Sequence, residues 1–373
     1  MARLSRRAGH IDTSGIRKVF DLAAGLSHPV DFSIGQPDFD VPRPVVDAAV
    51  DAMNDGFNRY TVTQGIRELH ERLRRHLAET RGFEPEATLI TSGVSGALLL
   101  AALVLIDPGD EVIIPDPYFV MYPHLARLAG GVPVFADTYP DFRVTAARIE
   151  PLVTERTKVL VLNSPSNPTG AVSTAAELAE IADLVRGRDV LVITDEIYDA
   201  FSYDGPFASI SSVLEGVLLV GGMSKSHAMT GWRLGWAAGP ADVVGEMTKL
   251  QQYTFVCAPS FAQRAALAAF DAGVSREVAG YRARRDFMVG ALSEDFEIAG
   301  GEGAFYLFPR VPESAGGDFV ERAVAAGCLI IPGHVFSARR TNFRISYATS
   351  MEDLERGAEL LVGLARKGRV RRR

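Results

Sequence analysis

Four apolar residues, Val217-Leu218-Leu219-Val220, run directly into Gly221-Gly222-Met223-Ser224-Lys225-Ser226-His227-Ala228-Met229-Thr230-Gly231-Trp232-Arg233. The apolar run predicts a strand that is buried on both faces. Lys225 follows at the end of that strand, where burial and the positive charge of Arg233 would lower the pKa of its amine and make it nucleophilic. For Lys225 taken alone, a solvated surface lysine is the alternative interpretation.

Four further apolar runs upstream have the same character, and each predicts another buried strand. They are Glu111-Val112-Ile113-Ile114, Val132-Pro133-Val134-Phe135, Lys158-Val159-Leu160-Val161-Leu162 and Val190-Leu191-Val192-Ile193. Amphipathic helical patterns lie between them, for example at residues 175–186. Alternating strands and helices form a mostly parallel sheet that helices wrap, with right-handed crossovers. The sequence therefore predicts an α/β fold.

Polar side chains follow three of these strands. Leu162 leads into Asn163-Ser164-Pro165-Ser166-Asn167-Pro168-Thr169-Gly170, Ile193 leads into Thr194-Asp195-Glu196-Ile197-Tyr198, and Val220 leads into the lysine segment. In open α/β sheets, ligands bind at the carboxyl ends of the strands. We therefore expect an amide, a carboxylate with a phenol, and an amine to meet at one edge of the sheet.

The C-terminal part of the chain has a different pattern, with long helices at 260–272 and 276–292, short strand-like runs at 304–308 and 342–347, and a closing helix at 351–365. This pattern predicts a smaller α+β domain. With 373 residues the chain is long enough for two domains. We place the large domain at residues 43–270 and the small domain at residues 1–42 and 271–373.

Composition and charge limit the function classes. A hydrophobic content of 47% and a charged content of 23% are typical of folded globular proteins, and the net charge of −7 argues against broad nucleic-acid binding. The two cysteines, Cys257 and Cys328, have no metal-type spacing and favour a reducing compartment such as the cytoplasm. No apolar run reaches the roughly 18 residues of a membrane span, and the N-terminus lacks the apolar core of a signal peptide.

Two sequence features are typical of anion and cofactor binding. Thr91-Ser92-Gly93-Val94-Ser95-Gly96-Ala97-Leu98 precedes an apolar helix, and its backbone N–H groups could hold a phosphate, although a helix N-cap is the alternative. Asp195 would lie at the sheet edge, where a buried carboxylate needs a cation such as a pyridinium nitrogen. An N-cap is again the alternative for Asp195.

Four other residues are candidates for the site, and three of them also have a structural interpretation. Asn167 and Tyr198 would hydrogen-bond the phenolic oxygen of a cofactor ring, but an asparagine before a proline is also a common turn residue. Phe119 would stack on the ring or belong to the core. Arg344 interrupts the run Phe343-Arg344-Ile345, where a charge either clamps a substrate carboxylate or faces water from an edge strand.

The sequence resembles class I aminotransferases of the fold type I pyridoxal-phosphate family, in the aspartate/aromatic branch of bacteria and archaea. The motifs that carry the resemblance extend along nearly the whole chain: Ser14-Gly15-Ile16-Arg17-Lys18, Gly35-Gln36-Pro37-Asp38-Phe39, Tyr60 before Gly65, Asn167-Pro168-Thr169-Gly170, Asp195-Glu196-Ile197-Tyr198, Ser224-Lys225, Gly231-Trp232-Arg233-Leu234-Gly235, Gly303-Ala304-Phe305-Tyr306, Pro332-Gly333 and Arg344-Ile345-Ser346-Tyr347. The family's fold implies a seven-stranded sheet in the large domain.

The resemblance also implies a role for each site residue. Lys225 is the Schiff-base lysine and the base that moves the proton between the substrate's α-carbon and C4′ of the cofactor, and Asp195 is the pyridinium partner. The remaining implied contacts are Asn167 and Tyr198 at the phenolate oxygen, Phe119 on the ring, Val94, Ser95, Ser224 and Arg233 at the phosphate, and Arg344 with Gly35 and Asn167 at the substrate carboxylate. Tyr60 reaches the phosphate of the neighbouring subunit, which implies a homodimer with shared active sites.

The chain departs from the family pattern beside the lysine. Ser226-His227 stands where relatives carry Thr or Ala followed by Phe, and Ser95 replaces a residue that is often larger. We interpret His227 as a histidine that fills the place of a core phenylalanine, with a pH-sensitive neighbour of Lys225 as the alternative. The arginine with which dicarboxylate-specific relatives bind a second carboxylate has no assignment in this sequence.

The predicted function is transfer of an amino group from an L-amino acid to a 2-oxo acid such as 2-oxoglutarate by a ping-pong route, with an aspartate, aromatic or broad range of donors. A β-lyase on the same fold is the alternative enzyme. A non-catalytic, cofactor-sensing effector domain is a third class. That class normally carries a fused DNA-binding helix-turn-helix, which the residues before Gly35 do not suggest.

Overall fold

The computed structural model describes residues 28–370, together with residues 5, 9, 11 and 15. Its strands are β1 (Val30–Asp31), β2 (Ala87–Ser92), β3 (Glu111–Asp116), β4 (Val132–Asp137), β5 (Thr157–Asn163), β6 (Leu191–Asp195), β7 (Leu218–Gly222), β8 (Leu234–Gly239), β9 (Tyr306–Leu307), β10 (Cys328–Leu329), β11 (Ile331–Pro332) and β12 (Phe343–Ser346). The motif at residues 14–18 lies outside the described residues, apart from residue 15.

The helices of the described residues lie before, between and after these strands. They are α1 (Arg43–Asn54), α2 (Arg67–Arg81), α3 (Gly93–Leu105), α4 (Met121–Ala129), α5 (Ala146–Ile149), α6 (Ala175–Val185), α7 (Ala241–Tyr253), α8 (Ser260–Ala269), α9 (Ser275–Leu292), α10 (Phe319–Ala325) and α11 (Met351–Val370). Along residues 28–370, no helix combines the length and the apolar character needed to cross a bilayer.

The large sheet has seven strands in the order β2-β8-β7-β6-β5-β3-β4. Strands β3 to β7 run parallel, whereas β8 runs antiparallel to both β2 and β7. This confirms the predicted mostly parallel sheet. One detail differs from the prediction: β4 is an edge strand on which Val132 is 48% exposed, so this strand is not buried on both faces.

The central strands read as continuous apolar runs because neighbouring residues point into different cores. Val159 and Val161 belong to the cluster that includes the apolar face of α3, whereas Leu160 and Val192 belong to the cluster that includes α6. Both faces of the sheet are therefore covered by helices, and alternate side chains of one strand are buried on opposite sides. This rigid sheet determines where the polar residues after β5, β6 and β7 lie.

The C-terminal part of the chain forms smaller sheets. A three-stranded antiparallel sheet has the order β11-β12-β9, and β1 pairs in parallel with β10. Helices α9 and α11 pack together against this part, whose core includes Phe32, Phe305 and Tyr347. The predicted strand at 304–308 is shorter than expected, because Ala304 adopts a left-handed conformation with φ +54°. The domain limits at residues 42 and 270 remain a prediction.

Candidate active site

A cavity of about 300 Å³ lies at the carboxyl ends of β5, β6 and β7. The predicted site residues that line it are Gly35, Val94, Ser95, Phe119, Asn167, Asp195, Tyr198, Ser224, Lys225, Arg233 and Arg344. They come from many separate segments of the chain, and the folded sheet brings them together. Tyr60 is the one predicted site residue that does not line this cavity, and its side chain is 84% exposed.

Lys225 extends into the cavity from the loop after β7. Its Nζ donates a hydrogen bond to the backbone oxygen of Gly35 at 2.5 Å. Burial, followed by the charges of Arg344 and Arg233, lowers the pKa of Lys225 to about 8, and Asp195 acts in the opposite direction. A useful fraction of this amine is therefore neutral and nucleophilic near neutral pH.

Asp195 lies at the last position of β6 and is 3% exposed. Its Oδ2 accepts a hydrogen bond from the Tyr122 hydroxyl at 2.8 Å, and its Oδ1 accepts one from the Ile197 N–H at 3.2 Å. Burial raises the pKa of Asp195 to about 6, although these hydrogen bonds and Lys225 act against burial. The carboxylate lines the cavity, and a cation bound there would stabilise its charged form further.

The N-terminus of α3 opens onto the same cavity. Ser92, at the N-cap position, makes no side-chain capping hydrogen bond, which leaves the first N–H groups of the helix without that partner. Gly93 has φ +67°, and a Cβ there would lie 2.6 Å from Nη2 of Arg233. A Cβ at Gly235 would lie 2.6 Å from the backbone nitrogen of Val94. These glycines let a cationic side chain and a helix N-terminus meet, which is a suitable arrangement for a phosphate.

Arg344 is 1% exposed and lies on β12, the central strand of the three-stranded sheet. This excludes the solvent-facing edge-strand interpretation. Its Nη1 donates to Oδ1 of Asn167 at 3.0 Å and its Nη2 donates to the backbone oxygen of Ser33 at 2.7 Å, while its Nε has no hydrogen-bond partner. Burial lowers the pKa of Arg344. Among the described residues it forms no ion pair, so the guanidinium can still bind an anion.

Among the cavity residues that the sequence did not predict, Tyr122, Asn163 and Tyr306 make polar contacts at the site. Asn163 binds the backbone on both sides of the site, since its Nδ2 donates to the Asp195 oxygen and its Oδ1 accepts from the Asn167 N–H, each at 3.0 Å. The position of Asn163 at the end of β5, directly after the apolar run 158–162, was the available signal. Tyr306 ends one of the family motifs, Gly303-Ala304-Phe305-Tyr306, but was assigned no role, and Tyr122 carried no signal.

His227 is buried beside the lysine loop. Its Nδ1 lies 2.8 Å from the Ser226 hydroxyl and its Nε2 lies 3.1 Å from the backbone oxygen of Ala272. Burial lowers the pKa of His227. A neutral ring with the proton on Nε2 satisfies both contacts, because Nδ1 then accepts from Ser226. The ring fills a core position, as the sequence interpretation expected, and it also makes polar contacts that phenylalanine could not.

Comparison with known proteins agrees with the predicted family along nearly the whole chain. The sequence profile of the family "Aminotransferase class I and II" matches residues 27–361. The chain belongs to this family. Its sequence is 36% identical to the aspartate aminotransferase of Geobacillus stearothermophilus, covering 96% of this chain and 97% of the relative. It is also 36% identical to aromatic-amino-acid aminotransferase 2 of Thermococcus litoralis, covering 94% and 95%.

A solved structure shares the fold. The aspartate aminotransferase of Thermus thermophilus with maleate superposes with a TM-score of 0.93 at 35% identity, covering 98% of this chain and 100% of the other. The fold type I prediction is confirmed, and this aminotransferase depends on pyridoxal phosphate. The prediction of a transferase is confirmed as well, since these relatives are named aminotransferases and none of them is named a lyase.

The residues of the cavity fit this cofactor. A pyridinium would supply the cation that the buried Asp195 needs. A phosphate would satisfy N–H groups at the N-terminus of α3, where no side chain caps them. Lys225, which lines the same cavity, has the lowered pKa that reaction with an aldehyde requires.

Proposed function

We propose that this aminotransferase takes the amino group of an L-amino acid with an acidic, aromatic or broader range of side chains and passes it to a 2-oxo acid such as 2-oxoglutarate. One observation carries the proposal: Arg344 is a buried cation without an ion pair among the described residues, and it lines the same cavity as Lys225. Both substrates of a transamination carry a carboxylate next to the reacting carbon. A single guanidinium can therefore hold both substrates in turn, as a ping-pong route requires.

The bound cofactor supplies an electron-withdrawing ring that stabilises negative charge at the substrate's α-carbon. Asp195 would hold the ring nitrogen in its protonated form, and Asn167 and Tyr198 would hydrogen-bond the phenolic oxygen. Phe119 would stack on the ring. The backbone at Val94 and Ser95, together with Ser224 and Arg233, would hold the phosphate.

Lys225 would act as both nucleophile and base. With the cofactor bound, the free amine of Lys225 would remove the proton from the substrate's α-carbon and deliver it to C4′ of the cofactor. Its position supports this role, because Gly35 holds Nζ on the cavity wall and Arg344 and Arg233 favour the neutral form. Gly35 and Asn167 would help Arg344 to orient the substrate.

Arg344→Ala tests the proposed function. We expect kcat/KM to fall about 10²- to 10³-fold for the amino acid and for the 2-oxo acid, because the loss of a buried charged contact costs about 2–5 kcal/mol. The half-reactions are measured separately, by following the absorbance of the bound cofactor as a panel of L-amino acids converts it to its amine form.

Arg356→Ala is the matched control, since Arg356 forms an exposed pair with Asp353 on α11. It should leave both half-reactions within a factor of about two, as exposed ion pairs contribute little. Unchanged KM values for both substrates in Arg344→Ala would remove Arg344 from the site. A wild-type protein that no L-amino acid converts would contradict the proposed function itself.

We also propose a homodimer with shared active sites, which the segment around Tyr60 supports. Two fully buried glutamines hold this segment in place: Gln263 donates to Thr61 Oγ1 at 3.0 Å, and Gln251 donates to the Thr63 oxygen at 2.7 Å. A firmly held loop nevertheless exposes 84% of Tyr60 and 60% of Val62. A large aromatic side chain that is both fixed and exposed suits contact with a second subunit.

Mixing two inactive variants tests the shared site. In the proposed shared site, one subunit supplies Lys225 and the other supplies Tyr60. A hybrid dimer of one Lys225→Ala subunit and one Tyr60→Ala subunit would therefore contain one site in which both residues are intact. With random exchange at equal amounts, we expect about a quarter of the wild-type activity to return. Mixtures of Lys225→Ala with Asp195→Asn are the control, because both residues line the cavity of one protomer and no intact site can form. Absence of recovery despite demonstrated subunit exchange would contradict the shared site.

A further inference from the structure

Tyr306 lies where three parts of the cavity meet. It is 1% exposed, and its hydroxyl oxygen lies 2.8 Å from the hydroxyl oxygen of Tyr198. The guanidinium carbon of Arg344 lies 4.6 Å from the centre of its ring. A Cβ at Gly35 would lie 2.6 Å from the Tyr306 hydroxyl, so only glycine allows this approach. Tyr306 thus touches the phenol, the cation and the backbone segment that holds Lys225.

The hydrogen-bond capacity of the two phenols determines what this contact can do. Burial raises the pKa of both Tyr198 and Tyr306, so each keeps its single proton. Either hydroxyl can be the donor in the pair. If Tyr198 donates into the cavity, its only proton is used there, and the hydroxyl of Tyr306 must donate to Tyr198. The second phenol therefore determines the direction in which the first one donates.

The ring of Tyr306 has a separate effect on Arg344. The guanidinium carbon contacts two aromatic rings, lying 4.6 Å from the centre of Tyr306 and 4.7 Å from the centre of Phe336. Cation–π contact with the two rings stabilises a charge that burial would otherwise disfavour and restricts the orientation of the guanidinium. Tyr306 thereby acts on the carboxylate-binding group with its ring and on the phenol with its hydroxyl.

We propose that Tyr306 is a positioning residue with these two separable actions: its hydroxyl directs the Tyr198 hydroxyl towards the cofactor oxygen, and its ring holds Arg344 in the orientation that receives a carboxylate. This inference rests on the proposed function, because it needs Tyr198 to donate to the cofactor. Tyr306 affects the reaction by positioning Tyr198 and Arg344, and it transfers no proton itself.

Tyr306→Phe removes the hydroxyl and keeps the ring. Its main readout is the pH at which the bound cofactor changes its visible absorbance. We expect this midpoint to rise by about half to one pH unit, because a donor to the cofactor oxygen favours its ionised form and one hydrogen bond contributes about that much. The KM values for amino acid and oxo acid should stay within about a factor of two, since the ring still faces Arg344. The Kd of the cofactor for the cofactor-free protein should rise as well.

A double-mutant cycle tests whether Tyr306 acts through Tyr198. Tyr198→Phe should move the midpoint in the same direction, and Tyr306→Phe should cause no further shift in the Tyr198→Phe protein. Tyr347→Phe is the matched control, because Tyr347 is a fully buried tyrosine of the same core that donates to the Ala304 oxygen at 3.2 Å. It should leave the midpoint unchanged.

Tyr306→Leu tests the ring. We expect KM for both substrates to rise about tenfold, because Arg344 loses one of its two aromatic faces. Additive midpoint shifts in the double variant, or an unchanged midpoint in Tyr306→Phe, would overturn the inference while leaving the proposed function intact. A wild-type protein whose bound cofactor no L-amino acid converts to its amine form would instead contradict the proposed function, so the two failures are distinguishable.

Discussion

Lys225→Ala lowers the rate of transamination by more than about 10⁴-fold, since it removes both the nucleophile and the base in one step. The variant protein still binds the cofactor through the residues around the phosphate and the ring, but without a covalent link. Borohydride reduction followed by mass spectrometry measures that link directly. We expect it on Lys225 in the wild type and nowhere in the variant.

The pH dependence of link formation gives a second measurement on the same residue. The pKa of Lys225 is lowered to about 8, and only the neutral amine attacks an aldehyde. When cofactor is added to the cofactor-free wild-type protein, the rate should therefore rise with pH and level off above about 8. Lys249→Ala, which changes a lysine paired with Glu246 on the surface of α7, should behave like the wild type. A reducible link that persists in Lys225→Ala would contradict the assignment.

Asp195→Asn is expected to have the second-largest effect, a loss of about 10²- to 10³-fold or more in kcat. Asparagine keeps the shape of the side chain but removes the charge that would keep the pyridine nitrogen protonated, so the ring withdraws electrons less strongly. The hydrogen bonds of Tyr122 and Ile197 to Asp195 can still form at least in part. Single-turnover measurements should show slow removal of the α-proton, visible as a larger deuterium isotope effect with α-deuterated substrate.

Glu196→Gln is the matched control for Asp195. Glu196 is the next residue, equally buried, and burial raises its pKa to about 7. Its carboxylate binds Arg81 at 3.1 Å and does not line the cavity. We expect this variant to lose stability in thermal unfolding, because Arg81 loses an ionic partner, and to keep its proton-transfer rate. Equal losses of kcat in both variants would show that the effect of Asp195 is structural.

Much of the fold could be predicted because buried parallel strands leave a simple pattern. Runs such as 217–220 are apolar at every position, since each face of the sheet packs against helices. The sequence pattern did not indicate that β8 runs antiparallel or that β4 is an exposed edge strand. Strand direction and edge position depend on which strands become neighbours, and a local pattern does not contain that information.

The same distinction applies to the site. Asp195, Asn167 and Lys225 follow predicted strands, so the rule that ligands bind at the carboxyl ends of parallel strands pointed to them. No strand-end rule pointed to Tyr122, and Tyr306 had a place in a family motif but no assigned role, because aromatic residues are common in cores and the hydroxyl contacts of both form only after distant segments pack together.

The sequence by itself determined the α/β class, the motifs of the aminotransferase family and the order in which amide, carboxylate and amine follow the strands, because hydrophobic periodicity and short motifs are local properties of a chain. Only the tertiary structure decided that Arg344 is buried in contact with two aromatic rings and Asn167, that Tyr306 contacts Tyr198, and that Tyr60 stays outside its own cavity. The physical reason is that burial and charge pairing depend on contacts between residues far apart in the chain, such as the 177 positions that separate Asn167 from Arg344.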